Sequence, residues 1–351
     1  MTDVLEVRGA IRPLESRSEP GWAELCDALR ELLDGADPAD RVIELRQLKS
    51  RVYRLELEPD APWRSVVIKR MEPAIAQRSQ VAAARWLPAL GLGDACARLL
   101  GVAAERNGTS VWHIYEDLGD GTLAARPDPD RVQATVDLIA ALHSSAAQHA
   151  ILPDVRRYSH DLGMPYFTSN VRDAIAALEA LRGRGVKTPP QHAGLPERLL
   201  KRLQALLADA PRRAQVFDEE AGPETFLHGD LWTINAFVVA TAGGPRACLV
   251  DWDRAGVGPF SYDLSTFLFR FPPPERPGII ELYRRAAARA GRCLPSLAAL
   301  KVLCDTAERA RYANCVIWPA LALLREEAGW GFPGLAEVER WFHVLDSERP
   351  L

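Results

Sequence analysis

The sequence predicts an α+β protein whose sheet comes early in the chain and whose helices follow. Three observations point there. β-prone runs cluster between Val42 and Lys69, helical periodicity dominates beyond residue 129, and 351 residues exceed what one hydrophobic core usually holds. A two-lobed body is the expected size class.

The elements follow in order. Residues 1–20 read as a polar lead punctuated by proline, and 21–35 as an amphipathic helix with Trp22, Leu25, Leu29, Leu32 and Leu33 on one side. Segments 42–45, 52–57 and 66–69 read as three strands, with turns at 47–51 and 58–64. A helix at 74–90 and a strand at 110–115 come next. Helical patterns then occupy 129–147, 169–182, 196–209, 278–290, 296–325 and 335–346. A break is expected at Pro319, because proline offers no N–H to the helix ladder. Between these helices lies a hairpin, with β-prone runs at 236–240 and 247–250 and a turn-rich connection at 241–246.

Composition excludes several classes of partner. A formal charge of −4, with basic and acidic residues mixed, leaves no basic face for nucleic acid and no polybasic tail for a membrane. Cys26, Cys96, Cys248, Cys293, Cys304 and Cys315 form no C-x-x-C pair or Cys/His cluster, so they read as small buried hydrophobes in a reducing compartment. With no apolar leader and no long apolar run, a soluble cytoplasmic protein is expected. Oligomeric state is not legible.

The chemistry concentrates in 226–253. His228-Gly229-Asp230 is followed at Asn235 by an amide, five residues after the Asp, and the hairpin can return Asp251 beside Asn235. That Asp-to-Asn spacing is the one found in the catalytic loop of kinases. Asn235 and Asp251 offer hard oxygen ligands for Mg²⁺, leaving Asp230 to orient a hydroxyl and take its proton.

These residues resemble the aminoglycoside phosphotransferase and choline kinase family, the small-molecule branch of the protein-kinase-like superfamily. Its signatures stand at His228-Gly229-Asp230, at Asp251-Trp252-Asp253 and at 258–264, where Asp263 opens a helix. The resemblance implies a bilobal protein-kinase-like fold with an N-terminal antiparallel sheet lobe and a larger helical C-terminal lobe. Boundaries are expected at 1–40 for an N-terminal extension, 41–117 for the nucleotide-binding lobe and 118–351 for the helical lobe. It further implies transfer of the γ-phosphoryl group of ATP, or of GTP, to a hydroxyl on a small molecule, with Mg²⁺ as cofactor. Asp230 is then the base, and Asn235 and Asp251 hold the metal. Lys69, ending Val66-Val67-Ile68-Lys69, meets the α- and β-phosphates. Glu116 and Leu118 lie in the hinge that reads the adenine edge. His228 and Asp263 hold the catalytic loop, and Asp253 either reaches the metal through a water or braces the loop.

Two departures stand out. The first turn, Gln47-Leu48-Lys49-Ser50-Arg51, lacks the glycine-rich pattern, so backbone N–H groups with Ser50, Lys49 or Arg51 must cradle phosphate. Segment 74–90 contains no Glu to pair with Lys69, and Gln80 is the closest substitute, sharing a helical face with Ala83, Ala84 and Leu87. The acceptor is not fixed: aminoglycosides, amino alcohols, sugars and fructosamine-like compounds all fit. Candidate acceptor residues are the stripe from Asp305 through Glu308, Arg309, Arg311, Tyr312 and Asn314 to Trp318, and the loop 158–161. Trp232, Trp318, Trp330 and Trp341 are candidates for an aromatic cage, with core packing the competing role. The competing classes are a non-catalytic nucleotide-binding module on the same fold and, behind it, a protein kinase.

Overall fold

The computed structural model describes residues 19–326 and 328–347, so nearly all of the predicted polar lead lies outside the described residues. Two compact units emerge. The first holds the described residues up to Leu138 together with Ile234–Ala255, and the second holds Ile139–Thr233 with the described residues from Gly256 onward.

The first unit is built on a five-stranded antiparallel sheet. Its strands are β1 (Val42–Lys49), β2 (Val52–Leu57), β3 (Ser65–Met71), β4 (Leu99–Ala104) and β5 (Val111–Glu116), in the order β1-β2-β3-β5-β4. Helix α1 (Trp22–Leu32) buries Trp22, Leu25 and Leu29 in a core shared with Leu55, Val66, Ile68, Trp112 and Ile114. Alternation along β3 does the rest. Val66 and Ile68 are fully buried in that core, so Val67 and Lys69 emerge on the opposite face. Lys69 pairs across the sheet with Val52 on β2 and with His113 on β5, which makes its position an interior one.

Helix α2 (Pro73–Val81) begins with proline in its first turn and runs into a π-helical turn at Ala82–Trp86. That turn corrects the predicted inward stripe. A π-turn holds one residue more than an α-turn, so counting back from buried Leu87 at α-helical spacing lands on Gln80, whereas the buried position is Ser79. Gln80 is exposed. The hairpin is tighter than the sequence suggested: β8 (Ala236–Thr241) and β9 (Gly244–Leu249) pair from Ala236↔Leu249 to Thr241↔Gly244, leaving Ala242-Gly243 as the turn. Strand β4 escaped prediction because its Leu-Leu-Gly-Val-Ala-Ala sequence has little β-branched content. Its Gly101 lets the neighbouring Ile114 approach; a Cβ there would meet Ile114 Cδ1 at 3.1 Å.

Helix α3 (Pro129–Ala146) carries the chain onward, and the second unit is mainly helical. It contains α4 (Leu152–Tyr158), α5 (Met164–Gly183), α6 (Leu195–Ala208), α7 (Ala210–Glu220), α8 (Ser261–Leu268), α9 (Arg276–Arg289), α10 (Leu297–Glu326) and α11 (Gly331–Ser347). Phe167, Val171, Leu178, Leu199, Leu203, Val316, Leu335 and Phe342 form its core. The expected break at Pro319 does not occur. Pro319 is buried inside continuous α10, whose packing against α5 and α11 offsets the lost hydrogen bond. A Cβ on Gly331 of α11 would overlap Leu323 and come within 2.9 Å of the Pro319 carbonyl oxygen, so glycine is what lets the two helices approach. Helices α4 and α7 had not been predicted.

A small sheet completes the unit. Strand β10 (Gly256–Gly258) lies between β6 (His160–Asp161), to which it is parallel, and antiparallel β7 (Thr225–Leu227). No helix among the described residues is long and apolar enough to cross a membrane.

Candidate active site

A single cavity in the first unit gathers most of the predicted residues. Val52, Val67, Leu118, Phe237 and Leu249 give it apolar walls, while Lys49, Lys69, Asn235, Asp251 and Asp253 line it with charge and amide. Apolar surfaces from sheet and hairpin suit a flat ring system, and the polar end suits phosphate and a cation.

The β8–β9 hairpin sets the polar end. Its first register pair, Ala236↔Leu249, places Asn235 and Val250 opposite one another, and the Val250 N–H donates to the Asn235 carbonyl at 2.9 Å. Asp251 follows at φ 71°, ψ 55°, a left-handed conformation rare for a residue with a side chain and a mark of a position fixed by its surroundings. The buried Trp252 indole donates to the Leu249 carbonyl at 3.1 Å and locks the turn. Two further ties hold the hairpin: the Leu123 N–H donates to the Ala236 carbonyl at 2.7 Å, and Arg131 donates to the carbonyls of Val238 (2.9 Å) and Gly121 (2.6 Å).

Lys69 stands between two carboxylates. Its Nζ lies 2.5 Å from Asp251 Oδ1 and 2.9 and 2.7 Å from the two oxygens of Asp253; Lys49 reaches Asp251 Oδ2 at 3.4 Å. Burial opposes the lysine's charge, yet Asp251 and Asp253 outweigh it and its pKa is raised. Burial likewise works against ionised Asp251, but Lys69 and then Lys49 hold it well below the usual carboxylate range. Asp253 moves the other way, raised by burial and by the neighbouring Asp251 charge.

Gln80 takes no part, which corrects the expectation that it partners Lys69. The residues of α2 that reach the cluster are Ser79, whose hydroxyl donates to Asp253 Oδ1 at 3.0 Å, and Arg78, which donates to the Asp253 backbone carbonyl. Ser50 sits exposed in the β1–β2 turn beside Arg51 at φ 63°, and Lys49 rather than Ser50 lines the cavity. Glu116 and Leu118 both line it, and the Glu116 carboxylate accepts from the Arg98 backbone N–H at 2.8 Å. The segment after β5 is clamped by Asp117, which accepts from Arg54 (3.0 Å), from the Ser65 hydroxyl (2.8 Å) and from the Gly119 N–H (2.9 Å). Arg54 is 8% exposed. An arginine at an alternating strand position, on the Lys69 side of the sheet, is the sequence signal for this clamp.

In the second unit the loop that carries His228, Gly229 and Asp230 follows β7. Asp263, fully buried near the start of α8, accepts the His228 N–H at 2.7 Å on Oδ2 and the Gly229 N–H at 2.9 Å on Oδ1. Gly229 has φ 81°, and the Asp230 N–H donates to His228 Nδ1 at 3.3 Å. Burial would raise the Asp263 pKa, but His143 and these N–H donors hold it down. His143, buried in α3, meets Asp263 Oδ2 at 3.4 Å and the Tyr283 hydroxyl at 2.8 Å. Nothing local in the sequence marks His143 as a partner 120 residues from Asp263.

From Asp305 to Asn314 the stripe on α10 is a largely buried, mutually paired network, and only its last member, Trp318, stands out to solvent. Asp305 pairs with Arg213 and Arg309, both at 2.8 Å; Glu308, fully buried, accepts from Ser265 at 3.1 Å and pairs with Arg311; Asn314 bonds Asn170 at 2.8 Å. The four tryptophans do not gather into a cage. Trp318 and Trp330 are exposed, Trp341 packs on Tyr312, and Trp232 lies under Arg270.

The antiparallel sheet unit and the mainly helical unit define a protein-kinase-like α+β fold. Residues 10–300 match the model of the phosphotransferase enzyme family, and the chain belongs to that family. Among solved structures, it is similar to a spectinomycin phosphotransferase in complex with ADP and spectinomycin, at 12% identity and a TM-score of 0.59 over 94% of this chain and 98% of that one. An ethanolamine kinase of Plasmodium vivax matches at 11% identity and 0.59, covering 97% and 90%. An aminoglycoside phosphotransferase of Streptomyces rimosus, in complex with ADP and streptomycin, matches at 15% and 0.51, covering 82% and 97%. No curated protein matches the chain.

Proposed function

We propose that this chain transfers the γ-phosphoryl group of ATP to a hydroxyl of a small molecule. The observation that carries the reading is the junction of Asn235, Asp251 and Lys69 at the polar end of an otherwise apolar cavity. Family membership and the ADP named with two structural neighbours support it. GTP is the alternative donor.

Asp251 and Asn235 are a fitting donor set for Mg²⁺. They are hard oxygen ligands, two in number, at the base of one hairpin, and the carboxylate is kept ionised. Bound there, Mg²⁺ would supply charge compensation for the phosphates. Lys69 meets the α- and β-phosphates, and Lys49 at the cavity edge adds a second cation. The backbone beyond β5, from Glu116 to Leu118, offers N–H and C=O groups to the base. Asp230 accepts the hydroxyl proton as the acceptor oxygen attacks the γ-phosphorus and the bond to the β,γ-bridging oxygen breaks, releasing ADP, while Asp263 fixes the loop through its grip on His228 and Gly229. Asp253 pairs with Lys69 from the hairpin side, with Ser79 orienting the carboxylate. It thereby fills the role that a glutamate on α2 would otherwise take.

The acceptors named with the neighbours, spectinomycin, streptomycin and ethanolamine, are small hydroxyl compounds and favour an acceptor of that class over a protein. The test is a calorimetric titration of ATP with and without Mg²⁺. Wild type should bind tightly only with the metal, and Asp251→Ala should lose that dependence. Equal affinity with and without Mg²⁺ in wild type would remove the metal site.

A further inference from the structure

Arg270, two residues beyond the end of α8, lies over the Trp232 ring with its guanidinium carbon 3.6 Å from the ring centroid. Trp232 follows Asp230 by two residues, and the Trp232 N–H donates to the Asp230 carbonyl at 2.8 Å. The arginine is half-buried, and its Nε makes only a long contact, 3.4 Å, to the Thr266 carbonyl. No carboxylate among the described residues forms an ion pair with it.

The surrounding charges are already committed. Glu308 is paired with Arg311, and Arg311 in turn donates to Thr266 and covers the Tyr262 ring at 4.7 Å. Asp305 is held by Arg213 and Arg309. Arg270 is thus the arginine of this group whose terminal nitrogens remain unclaimed. Stacking occupies the face of a guanidinium and leaves its in-plane N–H edge open, and that edge matches the two oxygens of a carboxylate or a phosphate ester. Burial and the Arg311 charge depress the Arg270 pKa, while Glu308 and Asp230 support its charge from a distance; the net direction is downward, which marks a cation short of compensation.

We propose that Arg270, held by Trp232, forms a subsite for an anionic group on the acceptor, beside the Asp230 that meets the acceptor hydroxyl. The inference rests on the phosphotransferase reading and narrows its acceptor class to hydroxyl compounds that also carry a carboxylate or phosphate ester. An acceptor whose only charges are positive would place a cation against Arg270.

Two pairs of probes differ by one carboxylate: glycerate against ethylene glycol, and serine against ethanolamine. With the full chain saturated in Mg²⁺ and a non-hydrolysable ATP analogue, saturation-transfer difference NMR reads their binding. Coupled assays of ADP release and phosphorylated product read transfer in parallel. The anionic member of each pair should be favoured on the order of 10-fold or more. Arg270→Gln should erase that preference, Arg270→Lys should keep part of it, and both variants should retain nucleotide affinity. Preference for the neutral or cationic members, a preference unchanged in Arg270→Gln, or no anion binding by wild type would overturn the subsite. So would weaker ATP than ADP binding in Arg270→Gln with discrimination intact, since the arginine would then serve the γ-phosphate. Anion binding lost in Arg270→Gln, with no transfer to any probe by wild type, would uphold an anion subsite and count against phosphotransfer.

Discussion

Lys69 shows how one side chain's environment carries the proposed nucleotide site. Its charge is stabilised by Asp251 and Asp253, and α2 contributes only through Ser79 and Arg78. Asp253→Ala should therefore weaken Mg·ATP binding by roughly 10-fold, the scale of one charge-assisted contact. Adding Ser79→Glu should restore part of it by returning a carboxylate to the helix; titration calorimetry on the single and double variants checks both. His113, across the sheet from Lys69, makes a separate pH prediction. Burial, then the Lys69 charge, pushes its pKa down to about 4. The unfolded chain, with an ordinary histidine near ~6.5, binds the extra proton first, so stability is full above that value and falls as pH drops toward about 4. The loss should approach ~3 kcal/mol, and His113→Gln should flatten the slope of unfolding free energy against pH by about one proton. Denaturant titrations between pH 4 and 7 measure it. At this scale the sequence was most legible where the geometry is local: Asn235 and Asp251, expected to meet across the hairpin, line one cavity. It was least legible where partners are remote, as with Arg54 and Asp117, His143 and Asp263, or Arg270 and Trp232.

Elements were readable wherever periodicity was long. The six long helices and four of the five strands of the main sheet left clear patterns, whereas β4 and the short strands β6, β7 and β10 did not. Two errors have physical causes. The π-turn at Ala82–Trp86 shifts the phase of everything counted across it, which moved the inferred inward residue from Ser79 to Gln80. Pro319 survives inside α10 because the helix is held by its neighbours rather than by its own ladder. Close backbone approach makes two glycines diagnostic. A Cβ at Gly256, the first residue of β10, would sit 2.6 Å from the His160 carbonyl oxygen and 2.9 Å from Leu162, and one at Gly331 would overlap Leu323. Gly256→Ala and Gly331→Ala should each cost roughly 1–3 kcal/mol or more, from overpacking that backbone must relieve. Gly278→Ala is the control, because nothing lies within 4 Å of a Cβ there. Denaturant midpoints for the three variants decide the matter; equal midpoints would contradict the packing account.

For the whole molecule, the proposed metal and nucleotide groups, Asn235, Asp251 and Lys69, belong to the first unit and Asp230 to the second, although Asp230 and Asn235 are only five residues apart in the chain. This division gives the account a direct test. The metal ligands and Lys69 should govern nucleotide affinity, while Asp230 should govern transfer. Asp230→Asn preserves shape and removes the base, so it separates the two functions. With an acceptor found by screening, and with ADP and phosphorylated product quantified together, kcat should fall by roughly 10²–10⁴-fold while Mg·ATP affinity stays within a few-fold of wild type. Transfer by Asp230→Asn at the wild-type rate would contradict the assignment of the catalytic loop, and with it the proposed mechanism.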